Sequence, residues 1–455
     1  MNLHVLLTGA GGFIGSQVMT SLLASGHEVV ACTRSGVVAT GLGCSADAGS
    51  VVGAGSRATA GPEVGAAAIQ SIACDFARDI DPAIWLPRLE GVDAVVNCAG
   101  ILRERGADRF EQVHVETPMA LFRACVIAGV RRVIQISALG RPEDTDFIAS
   151  KHRADAMLAR LNLDWVVLRP SIVYSSDGSY GGTSLLRAMA ALPGVIFVPG
   201  NGQQAIAPIS APDLGALIVQ LLASGSDSRS TFEVVGPETM SLETYLKTWR
   251  RWLGFREPRV IQVPTGIVAI ASWLGERFGS GPLGMTMYRM LIAGSTAEPA
   301  ADAAANNSVG WRPRSLREVL SARPSFVQDR WHARLYFLAP VLRIALGLVW
   351  VASAVVGFVT PQQQIRIVLG AAGVVSGAVA LDYFASAVDL VLGVFLLLGW
   401  KVPLMGVFML ICLLAYTVFI GIALPPVWLE PFGGLLKNIA LMPAVLVMMA
   451  IANRK

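Results

Sequence analysis

Charged residues are scarce in this chain of 455 residues: they make up 15% of it, against 54% hydrophobic residues, and the formal net charge is only +4. No basic run interleaved with aromatic residues occurs, which argues against a nucleic-acid partner. The six cysteines have neither the paired spacing of a disulfide framework nor that of a metal site. We therefore expect free thiols in a reducing compartment and no bound metal.

The hydrophobic residues are unevenly distributed along the chain. The mean hydropathy of +0.57 is too high for a purely soluble enzyme, and long apolar runs dominate only beyond about residue 333. The apolar run at the N-terminus is too short for a signal peptide. Arginines cluster just before the apolar region, as expected of a cytoplasmic flank: Arg312, Arg314, Arg317, Arg323, Arg330 and Arg334.

Four apolar stretches are long enough to be read as transmembrane helices, namely 337–358, 383–400, 404–424 and 435–451. The stretch 365–381 is apolar but short and rich in glycine and alanine. Counting it as a fifth span would place the C-terminus outside, whereas four spans keep the N-terminal domain and the C-terminus in the cytoplasm. The positive-inside rule favours four spans in the inner (cytoplasmic) membrane.

Ionisable residues inside apolar segments are costly, and they mark either function or internal pairing. Four such residues lie in or beside the predicted spans: Arg343, Asp382, Asp389 and Lys437. One interpretation is an ion pair between Arg343 and Asp389 that holds the helices together, and the other is a functional polar site.

A glycine-rich turn follows the first short apolar run of the chain, in the sequence Thr-Gly-Ala-Gly-Gly-Phe-Ile-Gly. Gly9 permits a tight turn, Gly12 allows the backbone to approach a pyrophosphate, and Gly15 lets the following helix pack closely. The amides of Phe13 and Ile14 belong to the first turn of that helix, where unpaired N–H groups attract phosphate. The pattern predicts a dinucleotide site.

Strands and helices alternate downstream of this turn, with strands predicted at 28–32, 72–76, 92–98 and 133–137 and a helix at 110–128. This alternation predicts an α/β, Rossmann-type, doubly wound parallel sheet. We expect a nucleotide-binding domain at 1–325 that includes a flexible insertion at 36–68 and a small C-terminal lobe at 230–320. An all-α transmembrane four-helix bundle would then occupy 335–455.

The spacing Gly-x-x-Gly-x-x-Gly resembles that of extended and atypical short-chain dehydrogenases/reductases, over roughly residues 1–320. The resemblance implies that Asp75 approaches the adenine, and that Ala99 and Gly100 let the cofactor ribose pass closely. At the end of the second strand this chain has Arg34 where NAD-specific relatives carry an acidic residue. Because a guanidinium suits a 2′-phosphate, we predict NADP(H) as the preferred cofactor and NAD(H) as the second choice.

The same resemblance implies a catalytic serine, tyrosine and lysine. Ser137 and Lys151 occupy two of these positions, the serine orienting the substrate and the lysine holding the nicotinamide ribose. Phe147 stands where the tyrosine is expected, and a phenyl ring neither donates nor accepts a proton. Three other residues are possible proton donors, although a packing role is the commoner interpretation for each: Tyr174, His114 and His152.

The end of the chain is similar to the DoxX-like family of small four-helix membrane proteins, through the stretch Trp428 to Asn438. Two functional hypotheses follow, and whether the protein is an enzyme stays open between them. The first is a membrane-tethered oxidoreductase that acts on a lipophilic or quinone substrate. The second is a non-catalytic NADPH-binding structural, assembly or sensor protein of a membrane complex, similar to the reductase-like accessory subunit of respiratory complex I. A nucleotide-sugar epimerase is a third hypothesis, and the absence of a tyrosine at position 147 argues against it.

Overall fold

A computed structural model of the chain describes residues 2–37, 69–224, 228–279, 281–297, 310–429 and 434–452. It consists of two compact units, Met1–Ala333 and Arg334–Lys455. Nearly all of the insertion predicted at 36–68 lies outside the described residues, as do residues 430–433 of the DoxX-like motif.

Seven parallel strands form the central sheet of the first unit, in the order β3-β2-β1-β4-β5-β6-β11. The strands of this unit, in chain order, are β1 (His4–Thr8), β2 (Glu28–Thr33), β3 (Ile69–Ala73), β4 (Ala94–Asn97), β5 (Arg132–Ile136), β6 (Asp164–Pro170), β7 (Val173–Tyr174), β8 (Val195–Pro199), β9 (Ala205–Ile206), β10 (Ile209–Ser210), β11 (Ser230–Val234), β12 (Met240–Ser241) and β13 (Arg259–Val263). The chain order reverses between β1 and β4, and this switch point is where doubly wound sheets bind their ligands.

Helices cover both faces of the sheet, because successive residues of a buried strand point to opposite sides. Leu7 packs with helices α1 (Phe13–Ala24) and α6 (Ala211–Ala223) on one face. Leu6 packs with helices α3 (Thr117–Ala128) and α4 (Asp146–Leu158) on the other face. The predicted doubly wound Rossmann-type fold is confirmed. The helices of this unit are α1 (Phe13–Ala24), α2 (Pro82–Trp85), α3 (Thr117–Ala128), α4 (Asp146–Leu158), α5 (Gly182–Ala190), α6 (Ala211–Ala223), α7 (Leu242–Trp252), α8 (Thr265–Phe278), α9 (Met285–Ala293) and α10 (Leu316–Ser321).

The third strand ends earlier than the sequence pattern indicates. It stops at Ala73, so Asp75 lies in the following turn and not within the strand as predicted. The Asp75 carboxylate accepts a hydrogen bond from the backbone N–H of Ala77 at 3.0 Å. A local bond of this kind offers the backbone an alternative to the strand ladder, which explains the early end.

A smaller lobe follows the sheet, with its own apolar core. β8 pairs in parallel with β13, and α5, α7 and α10 pack around them. Trp249 occupies the centre of this core, in edge-to-face contact with Tyr174 at 5.9 Å and with Tyr245 at 6.2 Å between ring centroids. Such aromatic pairs add to the free energy gained from burial.

The second unit is helical, and the helix that leads into it begins in the first. Three helices in the described residues are long and apolar enough to cross a membrane: α11 (Val327–Val359), α13 (Ala378–Leu398) and α14 (Val402–Ala423). A further apolar helix, α15 (Leu436–Ala452), has 17 residues. The region of the ambiguous stretch 365–381 contains α12 (Gln362–Ala371), whose 10 residues span only about 15 Å at the α-helical rise. That length is half of a bilayer core of about 30 Å, so α12 is too short to span it.

The predicted ion pair between Arg343 and Asp389 is wrong for the described residues. Asp389 accepts a hydrogen bond from the hydroxyl of Ser353 at 2.9 Å. The Arg343 guanidinium instead lies beside Gly399, so close that a Cβ there would come within 2.4 Å of Nη1. Gly399 follows the end of α13, and the carbonyl end of a helix attracts a cation.

Asp213 lies in the first turn of helix α6 but does not cap the helix. Ser210 is the N-cap, and its hydroxyl accepts a bond from the backbone N–H of Asp213 at 3.2 Å. The Asp213 carboxylate faces Arg314 and accepts from its Nε at 2.9 Å, its Nη2 at 2.7 Å and its backbone N–H at 3.0 Å. This pair holds the segment before α10 against α6.

We predict that Arg314→Ala lowers the free energy of unfolding by about 1–3 kcal/mol, since it leaves the buried Asp213 carboxylate with only a backbone donor. Thermal unfolding in detergent would measure the change. Arg317→Ala, which removes an exposed arginine from α10, is the control and should have almost no effect. Equal melting temperatures for the two variants would contradict the prediction.

Candidate functional site

The glycine-rich turn allows the closest approach between helix α1 and the carboxyl edge of the sheet. Gly9 has φ +66°, and a Cβ added to it would lie 2.9 Å from the backbone N of Ala99. A Cβ on Gly15 would lie 2.1 Å from the carbonyl oxygen of Gly9. No side chain fits at either position, so these two glycines are steric requirements of the turn.

The N-terminus of α1 is left open above this turn. Gly12 is the N-cap residue and carries no side-chain cap. The first amides of a helix, here those of Phe13 and Ile14, have no intrahelical acceptor. Gly11 and Gly12 are exposed to solvent. These free N–H groups and the positive end of the helix fit the pyrophosphate of a dinucleotide.

The end of strand β2 carries Arg34 at the surface, as the sequence predicts. Its Nη2 donates to the Asp108 carboxylate at 2.9 Å, although 67% of the arginine side chain is exposed. Asp108 lies in a loop far along the chain, and no local signal in the sequence points to it. A 2′-phosphate at this position would compete with Asp108 for the guanidinium.

We call the region along the carboxyl ends of β1, β4 and β5 the cleft. Lys151 lies beneath it on the side away from β2, and its ammonium bridges two strands. Its Nζ donates to the carbonyl oxygens of Ala99 at 2.8 Å and Ile136 at 3.1 Å, just past β4 and at the end of β5. A Cβ on Gly100 would lie 3.0 Å from Nζ, so a larger residue there would require the lysine side chain to shift by a few tenths of an ångström. Burial lowers the pKa of Lys151 to about 8, although Asp155 and Cys98 act in the opposite direction.

Ser137 is the first residue beyond strand β5, and its hydroxyl is already engaged. It donates to the Asp155 carboxylate at 2.7 Å, and the same oxygen accepts from Arg169 at 3.0 Å. Burial raises the pKa of Asp155, while Ser137 and Arg169 oppose that shift. Asp155 lies one helical turn after Lys151, so the two side chains share one face of α4. This spacing is a signal from which Asp155 could have been predicted as the partner of Ser137.

The predicted tyrosine position is filled by an aromatic cluster. The ring of Phe147 lies 6.2 Å from Phe110 and 5.5 Å from His114, both in edge-on geometry. Phe110 stacks on His114 at 5.3 Å. The position predicted for the tyrosine is therefore occupied by a phenyl ring, and its neighbours are a second phenyl ring and one imidazole.

His114 is fully buried and cannot readily replace the tyrosine. Its Nε2 accepts from the backbone N–H of Ile101 at 3.0 Å, so Nδ1 carries the proton and donates to Ser150 at 2.8 Å. Burial first, and Lys151 second, lower the pKa of His114 well below its usual value. The imidazole is neutral with both nitrogens occupied, which agrees with a packing role.

The other two candidate donors are held by other contacts, Tyr174 by ring packing and His152 by a hydrogen bond. Tyr174 is fully buried in the core of the small lobe, where it packs on Trp249. His152 donates from Nε2 to the carbonyl oxygen of Ala138 at 2.9 Å. Neither geometry delivers a proton to the position that Phe147 occupies.

Asn97 is a residue that the sequence analysis did not single out. It is fully buried at the end of β4, where Nδ2 donates to Gln135 at 2.7 Å and Oδ1 accepts from the backbone N–H of Ala99 at 3.2 Å and from Thr8. This network aligns the ends of β1, β4 and β5 beneath the cleft. A polar residue ending the apolar run Ala94-Val95-Val96 is the signal that could have revealed it.

The buried ammonium of Lys151 predicts a specific pH dependence of stability. Its folded pKa of about 8 lies below the unfolded value of about 10.4, so the unfolded state binds more protons between these values. Wild-type stability should therefore rise relative to Lys151→Met as the pH increases from about 8 to about 10. Melting temperatures of both proteins across this range test it, and a constant difference would contradict it.

Comparisons with known proteins agree with this geometry. Residues 5–234 match the NAD dependent epimerase/dehydratase family, and residues 347–446 match the DoxX-like family. The photosystem II assembly factor Ycf39 of Synechocystis is 24% identical over 269 residues, which cover 58% of this chain and 72% of the relative. The 40 kDa subunit of mitochondrial NADH-ubiquinone oxidoreductase from Neurospora crassa is 23% identical over 161 residues, covering 35% and 41%.

Solved structures share the fold of the first unit. MoeE5 in complex with UDP-glucose and NAD superposes with a TM-score of 0.50 at 20% identity, covering 73% of this chain and 99% of that one. The protein gox2253 gives 0.53 at 20% identity, covering 73% and 99%. WbmG of Bordetella bronchiseptica, in complex with NAD, gives 0.50 at 16% identity, covering 73% and 94%.

At these identities the solved structures establish the fold alone, whereas the family match covers half of the chain. The chain is a membrane protein that belongs to the NAD dependent epimerase/dehydratase family, with a DoxX-like C-terminal domain.

Proposed function

We propose that this protein is a membrane-anchored NADP(H)-binding member of its family whose site holds the dinucleotide without tyrosine-dependent chemistry. The observation that carries the proposal is the open N-terminus of α1 above Gly9 and Gly15, which faces the same edge of the sheet as Lys151. Two of the solved structures with this fold contain NAD, which supports a dinucleotide at this edge.

The residues of the cleft divide into those that would bind phosphate and those that would bind ribose or base. Gly9, Gly12 and Gly15, with the amides of Phe13 and Ile14, would accommodate the pyrophosphate. Asp75 would approach the adenine, while Ala99, Gly100 and Lys151 would bind the nicotinamide ribose. A bound nicotinamide supplies hydride chemistry, and the protein's own groups position it.

The missing proton donor supports a binding role over carbonyl reduction. Phe147 lies in a cluster with Phe110 and His114, and the imidazole is neutral and fully hydrogen-bonded. The names of the relatives, an assembly factor and a subunit of a respiratory complex, support an assembly, structural or sensor role. Tight binding of NADPH to the folded state would also stabilise the domain by mass action.

The second candidate is a reductase of a lipophilic quinone, favoured by the retained Lys151. Quinone reduction needs a hydride from NADPH and a proton, and water can supply that proton, so the absence of a tyrosine is less of an obstacle. Anchoring in the bilayer raises the effective concentration of a lipid-soluble substrate. The arginines that precede the apolar region support a cytoplasmic N-terminal domain at the inner membrane, with both candidates on that side.

The preference for NADPH should depend on Arg34. Arg34→Ala removes a guanidinium suited to the 2′-phosphate, and we expect NADPH to bind roughly tenfold more weakly, about 1.4 kcal/mol, with little change for NADH. Asp108→Asn removes the competing carboxylate and should tighten NADPH binding. Calorimetry on the detergent-solubilised protein measures both dissociation constants.

Arg123→Ala, which removes an exposed arginine from α3, controls for the change in net charge. If wild type bound NADH as tightly as NADPH, or if Arg34→Ala weakened both equally, the preference for NADPH would be refuted.

Phe147→Tyr should restore the missing proton donor beside Lys151. We expect NADPH-linked reduction of a panel of carbonyl compounds to increase on the order of 10²-fold, the usual contribution of a positioned acid. Phe110→Tyr adds the same hydroxyl elsewhere in the cluster and should gain nothing. Wild-type turnover as fast as that of Phe147→Tyr would contradict the proposed binding role.

An anaerobic mixture of protein, NADPH and a short-chain quinone separates the two candidates. Stoichiometric NADPH binding without consumption supports the binding role. Steady consumption that disappears in both Lys151→Ala and Gly12→Asp supports the quinone reductase and overturns the binding role.

A further inference from the structure

Helix α8 of the small lobe exposes a large apolar surface. Ser272 is the only residue of this helix that is buried, although the helix is mostly apolar. Ile270 is 62%, Trp273 56% and Phe278 77% exposed, and Ile267 and Leu274 are exposed beside them. A contiguous patch of this kind on a folded domain marks an interaction surface. We call these five residues the α8 patch.

Hydrogen bonds from other parts of the domain hold both ends of helix α8. Arg103 donates from Nη1 to the carbonyl oxygens of Gly275 and Gly279, both at 3.1 Å, at the end of α8. The hydroxyl of Tyr288 in α9 donates to the carbonyl oxygen of Thr265 at 3.2 Å, at the opposite end. The apolar side chains are therefore presented by an anchored helix.

The segment of the chain that carries the α8 patch is positively charged. Between Arg250 and Arg289 the chain has six arginines and two glutamates, with no lysine or aspartate. Five of these arginines are exposed: Arg251, Arg256, Arg259, Arg277 and Arg289. An apolar helix face that includes Trp, Phe and Leu, in an arginine-rich segment with Arg277 on the helix itself, has the composition of a helix that lies in the membrane interface.

We infer that the α8 patch is a membrane-contacting surface that lies in the headgroup and acyl boundary of a bilayer containing anionic lipids. The charge of the arginines in this segment complements anionic headgroups. The membrane helices of the same chain keep this domain permanently close to a bilayer, so even a weak surface contact is populated. The inference stands whether or not the protein turns over NADPH.

A fluorescent probe on the patch tests the inference in the full-length protein. The protein is reconstituted in nanodiscs of phosphatidylcholine and phosphatidylglycerol, and Ile270→Cys is labelled with the environment-sensitive dye NBD. Doxyl-labelled phosphatidylcholine in the discs quenches dyes that contact the lipid. Ile127→Cys, on α3 and 67% exposed, is a control matched in exposure. Labelling of the unsubstituted protein measures the background from the native thiols.

We expect the dye at position 270 to lose about half of its emission to the lipid nitroxide, and the dye at position 127 to lose almost none. The labelled Phe278→Cys variant, at the end of the helix, should behave like Ile270→Cys and covers the case in which the first variant misfolds. Adding Trp273→Ser to the labelled variants should reduce the quenching.

Two results would overturn the inference. One is unquenched, water-exposed emission at both positions 270 and 278. The other is emission shifted to the blue without quenching by the lipid nitroxide, which would mean that protein, from this chain or from a second copy, covers the patch.

Discussion

The contact between the glycine-rich turn and the first helix is the constraint on which the rest of the site depends. A Cβ on Gly15 would lie only 2.1 Å from the carbonyl oxygen of Gly9. Gly9 itself lies against the backbone of the residues that follow β4. This close packing brings the open N-terminus of α1 to the switch point of the sheet. The order of the strands and the direction of α1 therefore place the helix N-terminus at the switch point.

The other end of the cleft is organised by the buried ammonium of Lys151. A charge removed from water must find partners, and the carbonyls of Ala99 and Ile136 provide them while joining the ends of two strands. Near it, the phenyl ring of Phe147 has no group that exchanges a proton, and His114 is neutral with both ring nitrogens hydrogen-bonded.

The membrane unit follows a different physical rule. Its long helices expose apolar side chains, as helices that face lipid do, and some of their polar groups bond with each other, as Ser353 does with Asp389. Gly399 leaves room for the Arg343 guanidinium at a helix end, where the carbonyl dipole compensates the charge. The small lobe of the first unit also exposes apolar side chains, on α8.

The sequence by itself determined the architecture of this protein. The alternation of strands and helices, the glycine spacing and the late apolar runs are local patterns, and each follows from short-range sterics or from length and hydropathy. The substitution of Phe147 for tyrosine was also visible without coordinates. The early end of β3 at Ala73 was not, because a carboxylate bond to a nearby amide competes with strand pairing.

The tertiary structure alone decided which charged and polar groups meet. Arg34 finds Asp108, Asp213 finds Arg314, and Asn97 finds Gln135, all across long stretches of chain. Partners so distant leave no periodic trace in the sequence, since their proximity is created by the packing of whole strands and helices. The exposure of the apolar face of α8 was likewise decided by the tertiary structure, because burial depends on which elements pack against a helix.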